Sequence, residues 1–212
     1  MRKHSRASAA EAPSGKHLVC GSGGTKAYLG GAGAILAFDF AGVDDWQTIG
    51  GVSGGSIPSL LLAAGVDPAM IVANAIDIDF SQLLVKTDSF SNVLKTRLRP
   101  GLHRGKRLRD GIVDSRCLGS LLERFVPEWP ANYWTMAVAG NSMLLFTADG
   151  VFEYHGGRRR RISSTPAPVG LAVRASCAVP GVIESVRFAG RDLFDGALSP
   201  YGGCPTSMVK RH

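Results

Sequence analysis

Cysteine is scarce in this sequence, and its four copies stand apart. Cys20, Cys117, Cys177 and Cys204 form no Cys-x-x-Cys pair and no cysteine-dense segment. That spacing speaks against the common zinc sites and against a disulfide framework, and it suits a reducing compartment. Long apolar runs are also missing, none approaching the roughly eighteen residues that a membrane-spanning helix needs. The first sixteen residues, MRKHSRASAAEAPSGK, lack the apolar centre of a secretory signal. They are expected to form a flexible basic tail, leaving residues 17–212 as a single domain in a cytoplasmic protein. No metal or organic cofactor is implied.

Glycine, by contrast, is abundant, 27 of 212 residues, against a usual share of about 7%. Many tight turns follow, which argues against a pure helical bundle. With 45% hydrophobic and 19% charged residues, the chain has the make-up of an ordinary globular domain rather than of a disordered one. Its net charge of +7 is concentrated in Arg158 to Arg161 and in RLRPGLHRGKRLR, Arg97 to Arg109. These clusters read as solvated loops or as surfaces drawn to anionic lipid headgroups. They lack interleaved aromatics and match no nucleic-acid-binding motif, so no nucleic-acid partner is expected.

Strands alternate with helices along the first half. HLVCGSGG reads as a short buried strand entering a glycine turn, and TKAYLGGAGAILAFDFAGV as a helix. WQTIGGV is a second strand and SIPSLLLAAG a second helix, closed by Gly65. Asp67-Pro68 is the N-cap and first position of another helix. The segment from Asp79 to Asp114 is charged and irregular, and CLGSLLERF has helical spacing. From Trp134 short strands and turns take over. PVGLAVRASCA is a further helix, and VRFAGRDLFDGA a hairpin whose second strand delivers Asp195 to a glycine turn. This pattern predicts an α/β fold with a hairpin-rich second half.

Between the second strand and its helix lies Gly51-Val52-Ser53-Gly54-Gly55, a G-x-S-x-G match. In a strand-to-helix turn this pattern holds a serine in a strained conformation with its hydroxyl exposed. The helix that follows favours developing negative charge there. Such a serine needs a base, and the five histidines are poorly placed. His4 lies in the tail and His212 is the last residue; His17 starts the first strand, His103 lies in the irregular segment, and His155 ends a strand. Asp195, before Gly196, can take the proton directly if burial raises its basicity, although Asp-Gly is also a common turn dipeptide. Gly21-Ser22-Gly23-Gly24-Thr25-Lys26 is a third candidate. It reads as an anion nest at a helix N-terminus, a phosphate loop or an oxyanion hole; Walker spacing and the dinucleotide fingerprint are both absent.

These three segments, in this order, resemble the patatin-like phospholipases. That family carries a glycine-rich oxyanion segment, then G-x-S-x-G, then Asp-Gly-Gly or Asp-Gly-Ala, here Asp195-Gly196-Ala197. The connecting stretches RASCAVPGVIESVRFAGRDLFDGALSP, GLHRGKRLRD and MAVAGNSMLLFTADG are similar as well, and the resemblance runs from about Leu18 to Pro200. It implies a three-layer fold with a central, mostly parallel sheet flanked by helices. It further implies a Ser53–Asp195 dyad without histidine, cleaving carboxylic esters of lipids or phospholipids through an acyl-enzyme. The oxyanion segment departs from the family's glycines at Ser22 and Ala27, so the implied donors are the backbone N–H groups of Gly23, Gly24 and Thr25. Ala27 would crowd the turn if a positive φ were required there. The chain ends soon after Asp195, where family members continue with further helices, so a more open lipid groove is expected. Ile57, Leu60 and Leu61 are the expected lining of the acyl pocket. Two alternatives remain: a short-chain esterase or thioesterase, and a catalytically weakened basic protein that binds anionic membranes.

Overall fold

A computed structural model describes residues 15–87 and 111–211. The expected tail up to residue 14, the basic segment 97–109, and His4, His103 and His212 lie outside the described residues. Strand β1 (Lys16–Cys20) leads into α1 (Gly24–Phe40), and β2 (Trp46–Gly51) leads through a 3₁₀ turn (Ser53–Gly55) into α2 (Ser56–Ala63). Gly65, at φ 80°, stops α2 as a left-handed cap, with the Val66 N–H donating to the Leu61 carbonyl at 3.0 Å. The Asp67 carboxylate then accepts from the Ala69 and Met70 N–H groups and starts α3 (Pro68–Asp77), as the Asp-Pro pair predicts.

A short α4 (Phe80–Leu83) precedes the two-residue strands β3 (Val85–Lys86) and β4 (Val113–Asp114), and α5 spans Arg116–Phe125. Four antiparallel neighbours follow: β5 (Tyr133–Ala139), β6 (Ser142–Thr147), β7 (Gly150–His155) and β8 (Arg158–Ser163). Helix α6 (Val169–Ser176) leads to the hairpin of β9 (Val186–Phe188) and β10 (Arg191–Asp195). The main sheet runs β1-β2-β5-β6-β7-β8, with β10 also against β5. It is mixed: β1, β2 and β5 are parallel, as helical crossovers require, and the later strands form a meander.

Alternation along the strands sorts the core into two faces. Leu18, Ile49, Tyr133, Leu144 and Phe146 face the helices, meeting Tyr28 and Ile35 of α1, Leu60 of α2, Leu122 of α5 and Ala172 of α6. Trp134, Met136, Met143 and Leu145 face the other way, onto Met208 in the C-terminal 3₁₀ turn Thr206–Arg211. Arg158 to Arg161 form an edge strand, not the expected loop. Glu153 and Phe152 on β7 hold alternate arginines: the Glu153 carboxylate accepts from Arg160, and Arg159 lies 4.0 Å over the Phe152 ring. Among the described residues no helix is long and apolar enough to cross a membrane, and all four cysteines are free.

Candidate active site

Strand β5 brings the two halves of the site together. The first part of its free edge pairs with β2, whose last partners are Gly51 and Thr135. Beyond that point the same edge pairs with β10, where Asp195 faces Ala137. One strand stops where the other arrives, so Ser53, two residues past the end of β2, meets Asp195 from 142 positions later in the chain. The Ser53 hydroxyl donates to Asp195 Oδ2 at 2.7 Å, and both side chains are buried. Asp195 Oδ1 accepts the Ala197 N–H at 2.8 Å, which orients the carboxylate. Burial raises the carboxyl's pKa, opposed by the hydrogen bonds from Ser53 and Ala197.

The Ser53 turn is strained as its motif predicts: Ser53 has φ 53°, in the left-handed region that a β-carbon disfavours. Its side chain is buried rather than exposed, because it is turned in against Asp195. Two serines that sequence reading missed hold it there. Ser176 at the end of α6 accepts the Ser53 N–H at 2.9 Å, and Ser56 donates to the Ser53 carbonyl. The Tyr133 hydroxyl braces the next turn by donating to the Ser56 carbonyl at 3.0 Å, and burial drives its pKa far upward, so it remains a neutral donor. Neither Ser176 nor Ser56 lies in a motif with a chemical signature, which is why composition and spacing were silent about them.

Gly54 is the tightest point. A β-carbon there would lie 1.9 Å from the Gly24 carbonyl oxygen, so the Ser53 turn rests directly on the start of α1. Gly51 and Gly55 are enclosed in the same way by the turn and by β1, and a β-carbon on Gly196 would strike the Met136 carbonyl at 2.3 Å. Gly23 and Gly24 have φ values of 154° and 61°, which turn the chain into α1 beside Ser53. Gly24 and Thr25 line the same cavity as Ser53 and Gly54, whereas Gly23 sits just outside it. The first N–H groups of a helix have no partner within it, and here that end faces the serine. Ala27 lies inside α1 with an ordinary negative φ, so the expected crowding does not arise.

The model of the patatin-like phospholipase family matches residues 18–203. The chain belongs to that family. Among solved structures, VipD from Legionella pneumophila is similar with a TM-score of 0.52 and 16% identity, over 88% of this chain and 46% of that one. The type III effector protein ExoU is similar with a TM-score of 0.41 and 17% identity, over 80% of this chain and 40% of that one. The chain thus spans less than half the length of either. No curated protein matches it.

Within this patatin-like domain, a cavity of about 230 Å³ opens beside Ser53. Its walls are almost entirely apolar, formed by Tyr28, Ile57, Phe80, Leu118, Cys177 and Val182 among others. Of the three expected lining residues only Ile57 reaches it. Leu60 and Leu61 share a face of α2 with Ile57 but lie one turn further along the helix, where they pack into the main core away from the cavity. Cys177 is buried, and desolvation pushes its thiol up to about 12, so it stands beside the serine as an inert, apolar group. Of the described histidines, His17 bonds Thr48 on β2 at 2.9 Å and His155 is exposed at the end of β7; neither touches the pair.

Proposed function

We propose that the protein is a serine lipid acyl hydrolase that cleaves carboxylic esters through Ser53 and Asp195. The observation that carries this reading is the 2.7 Å hydrogen bond from the Ser53 hydroxyl to a buried carboxylate, at the mouth of an apolar cavity. Burial penalises the charged carboxylate, so Asp195 gains by accepting the serine proton as Ser53 attacks the ester carbonyl. The tetrahedral oxyanion then lies against the N–H groups of Gly23, Gly24 and Thr25, joined by that of Gly54, the residue after the nucleophile. Collapse expels the alcohol, which takes the proton back from Asp195. Water attacks the acyl-enzyme in the second half, with Asp195 again as base. The acyl chain occupies the cavity beside Ile57 and Leu118.

A short-chain esterase or thioesterase is the second reading, favoured by the cavity's size. At about 230 Å³ it is smaller than the roughly 300–1,000 Å³ of sites for drug-sized ligands. Hydrolysis of p-nitrophenyl esters of increasing acyl length separates the two. The expected result is turnover by the wild type, background rates for Ser53→Ala, and a loss of about 10²–10⁴-fold for Asp195→Asn. Equal rates from all three folded proteins would remove the hydrolase reading.

A further inference from the structure

The arginine strand lies at the same end of the sheet as the proposed nucleophile. Strand β5 runs toward the site, where Asp195 pairs with Ala137, and two residues on it reaches Ala139 opposite Ser142. From there the meander carries the same level outward: Met143 pairs with Tyr154, and His155 with Arg158. Arg158 therefore begins β8 at the catalytic end of the sheet, four strand spacings from β2, which is about 19 Å.

An open groove of about 650 Å³ runs along this end, lined by Ser142, Glu153, His155, Arg158, Arg160 and Arg191 among others. Glu153 organises it. One carboxylate oxygen accepts from Arg160 at 2.7 Å and the other from Arg191 at 2.5 Å, fixing two guanidiniums side by side. These two cations hold the Glu153 carboxyl at about 2, so its own charge does not vary at physiological pH. Among the described residues Arg158 pairs with no carboxylate, so the groove keeps an excess of positive charge. A second feature sits toward the same end: Val179 and Val182, at the mouth of the Ser53 cavity, are 39% and 49% exposed.

We infer that this end of the molecule docks on an anionic membrane surface, with Arg158, Arg160 and Arg191 on the headgroups and Val179 and Val182 at the apolar boundary. The inference rests on the hydrolase reading for its purpose, since docking in this way presents the Ser53 cavity to lipid. It does not rest on it for its physics. Guanidinium groups pair with phosphate and carboxylate headgroups bidentately, and an anionic leaflet attracts them within a Debye length. Strand β8 is also an edge, where arginines discourage strand pairing with another chain.

The test is sedimentation with vesicles of phosphatidylcholine alone and of phosphatidylcholine mixed with phosphatidylserine, using the full chain at low and high salt. Wild type is expected to bind the anionic vesicles, and to release them at high salt. The double variant Arg158→Ala/Arg160→Ala should lose about thirty-fold in partitioning, since each basic residue near such a surface contributes about 1 kcal/mol. Arg158→Lys/Arg160→Lys, which keeps the charge, should retain most of it. All variants should keep wild-type rates on a short, water-soluble ester and wild-type circular dichroism. Equal binding to neutral and anionic vesicles, no vesicle binding, or an alanine variant that binds like wild type would overturn the inference. Capture of a short single-stranded oligonucleotide in place of vesicles would reassign the groove to nucleic acid and overturn it too. Arginine-dependent vesicle binding by a protein that hydrolyses no ester would uphold the docking surface while removing the hydrolase reading.

Discussion

At Asp195 a cost to the fold coincides with the chemistry proposed for it. Its carboxyl is buried among apolar neighbours and, among the described residues, keeps two hydrogen-bond donors, the Ser53 hydroxyl and the Ala197 N–H. Its folded pKa is raised above the ordinary carboxylate value of about 3.9. The native state therefore favours the protonated form: its contribution to stability is complete below the unfolded pKa and is lost as pH rises through the folded one. Near neutral pH the wild type bears the cost of a buried charge. Asp195→Asn bears none, because the amide oxygen can accept from Ala197 while the amide nitrogen donates to Ser53. Its melting temperature should equal or exceed the wild type's near neutrality, with the advantage shrinking as the pH is lowered toward the carboxylate range. Thermal melts over a pH series check this, and a variant that is less stable at every pH would contradict it. The same raised pKa should appear as the acidic limb of the ester-hydrolysis profile, activity rising with pH as Asp195 ionises.

The elements meet closely where the Ser53 turn rests on α1. A β-carbon on Gly54 would sit only 1.9 Å from the Gly24 carbonyl oxygen, so Gly54→Ala must push the two segments apart. Overpacking of this kind costs about 1–3 kcal/mol, and it moves the proposed oxyanion donors away from Ser53. Both ester turnover and melting temperature should fall. Gly30, on the exposed side of α1, has nothing within 4 Å of the equivalent atom. Gly30→Ala should therefore be neutral or stabilising by up to about 1 kcal/mol, as helix propensity predicts. Similar losses from the two substitutions would mean that α1 is sensitive to added volume generally, and not at the turn alone.

Taken whole, the molecule covers the two faces of its sheet unequally. Among the described residues, helices cover one face, whereas the other is closed by the C-terminal 3₁₀ segment, with Met208 buried against Trp134, Met136 and Leu145. Met208 is fully buried in that cluster, beside Ala197 and Tyr201, and Met208→Ala should cost about 2–5 kcal/mol. For a chain of this size that is a fall of roughly 2–4 °C in melting temperature per kcal/mol. A shift under a degree would show that the segment contributes little to the fold. At the same scale, the walls of the cavity beside Ser53 bound the acyl chain it can hold, and Leu118→Ala should move the acyl-length optimum to longer chains.

Local sequence was enough for much of this. Asp67-Pro68 and Gly65 placed helix ends because capping is decided by neighbouring residues. The pairing of Ser53 with Asp195 was legible because a serine in a strained strand-to-helix turn demands glycines beside it, and because no histidine was well placed to partner it. The α/β class followed from alternating strand and helix texture. What tertiary structure alone decided was where separate segments meet. The Ser176 clamp on Ser53 joins residues 123 positions apart, and no local pattern encodes that contact. Leu60 and Leu61 looked like pocket residues, yet the cavity reaches only the first turn of α2, at Ile57, and leaves the next turn in the core. The arginine run read as a loop because charge masked its strand; only the Glu153 and Phe152 partners on β7 make four successive arginines a stable edge. Side-chain chemistry is written residue by residue, but register and distance belong to the assembled sheet.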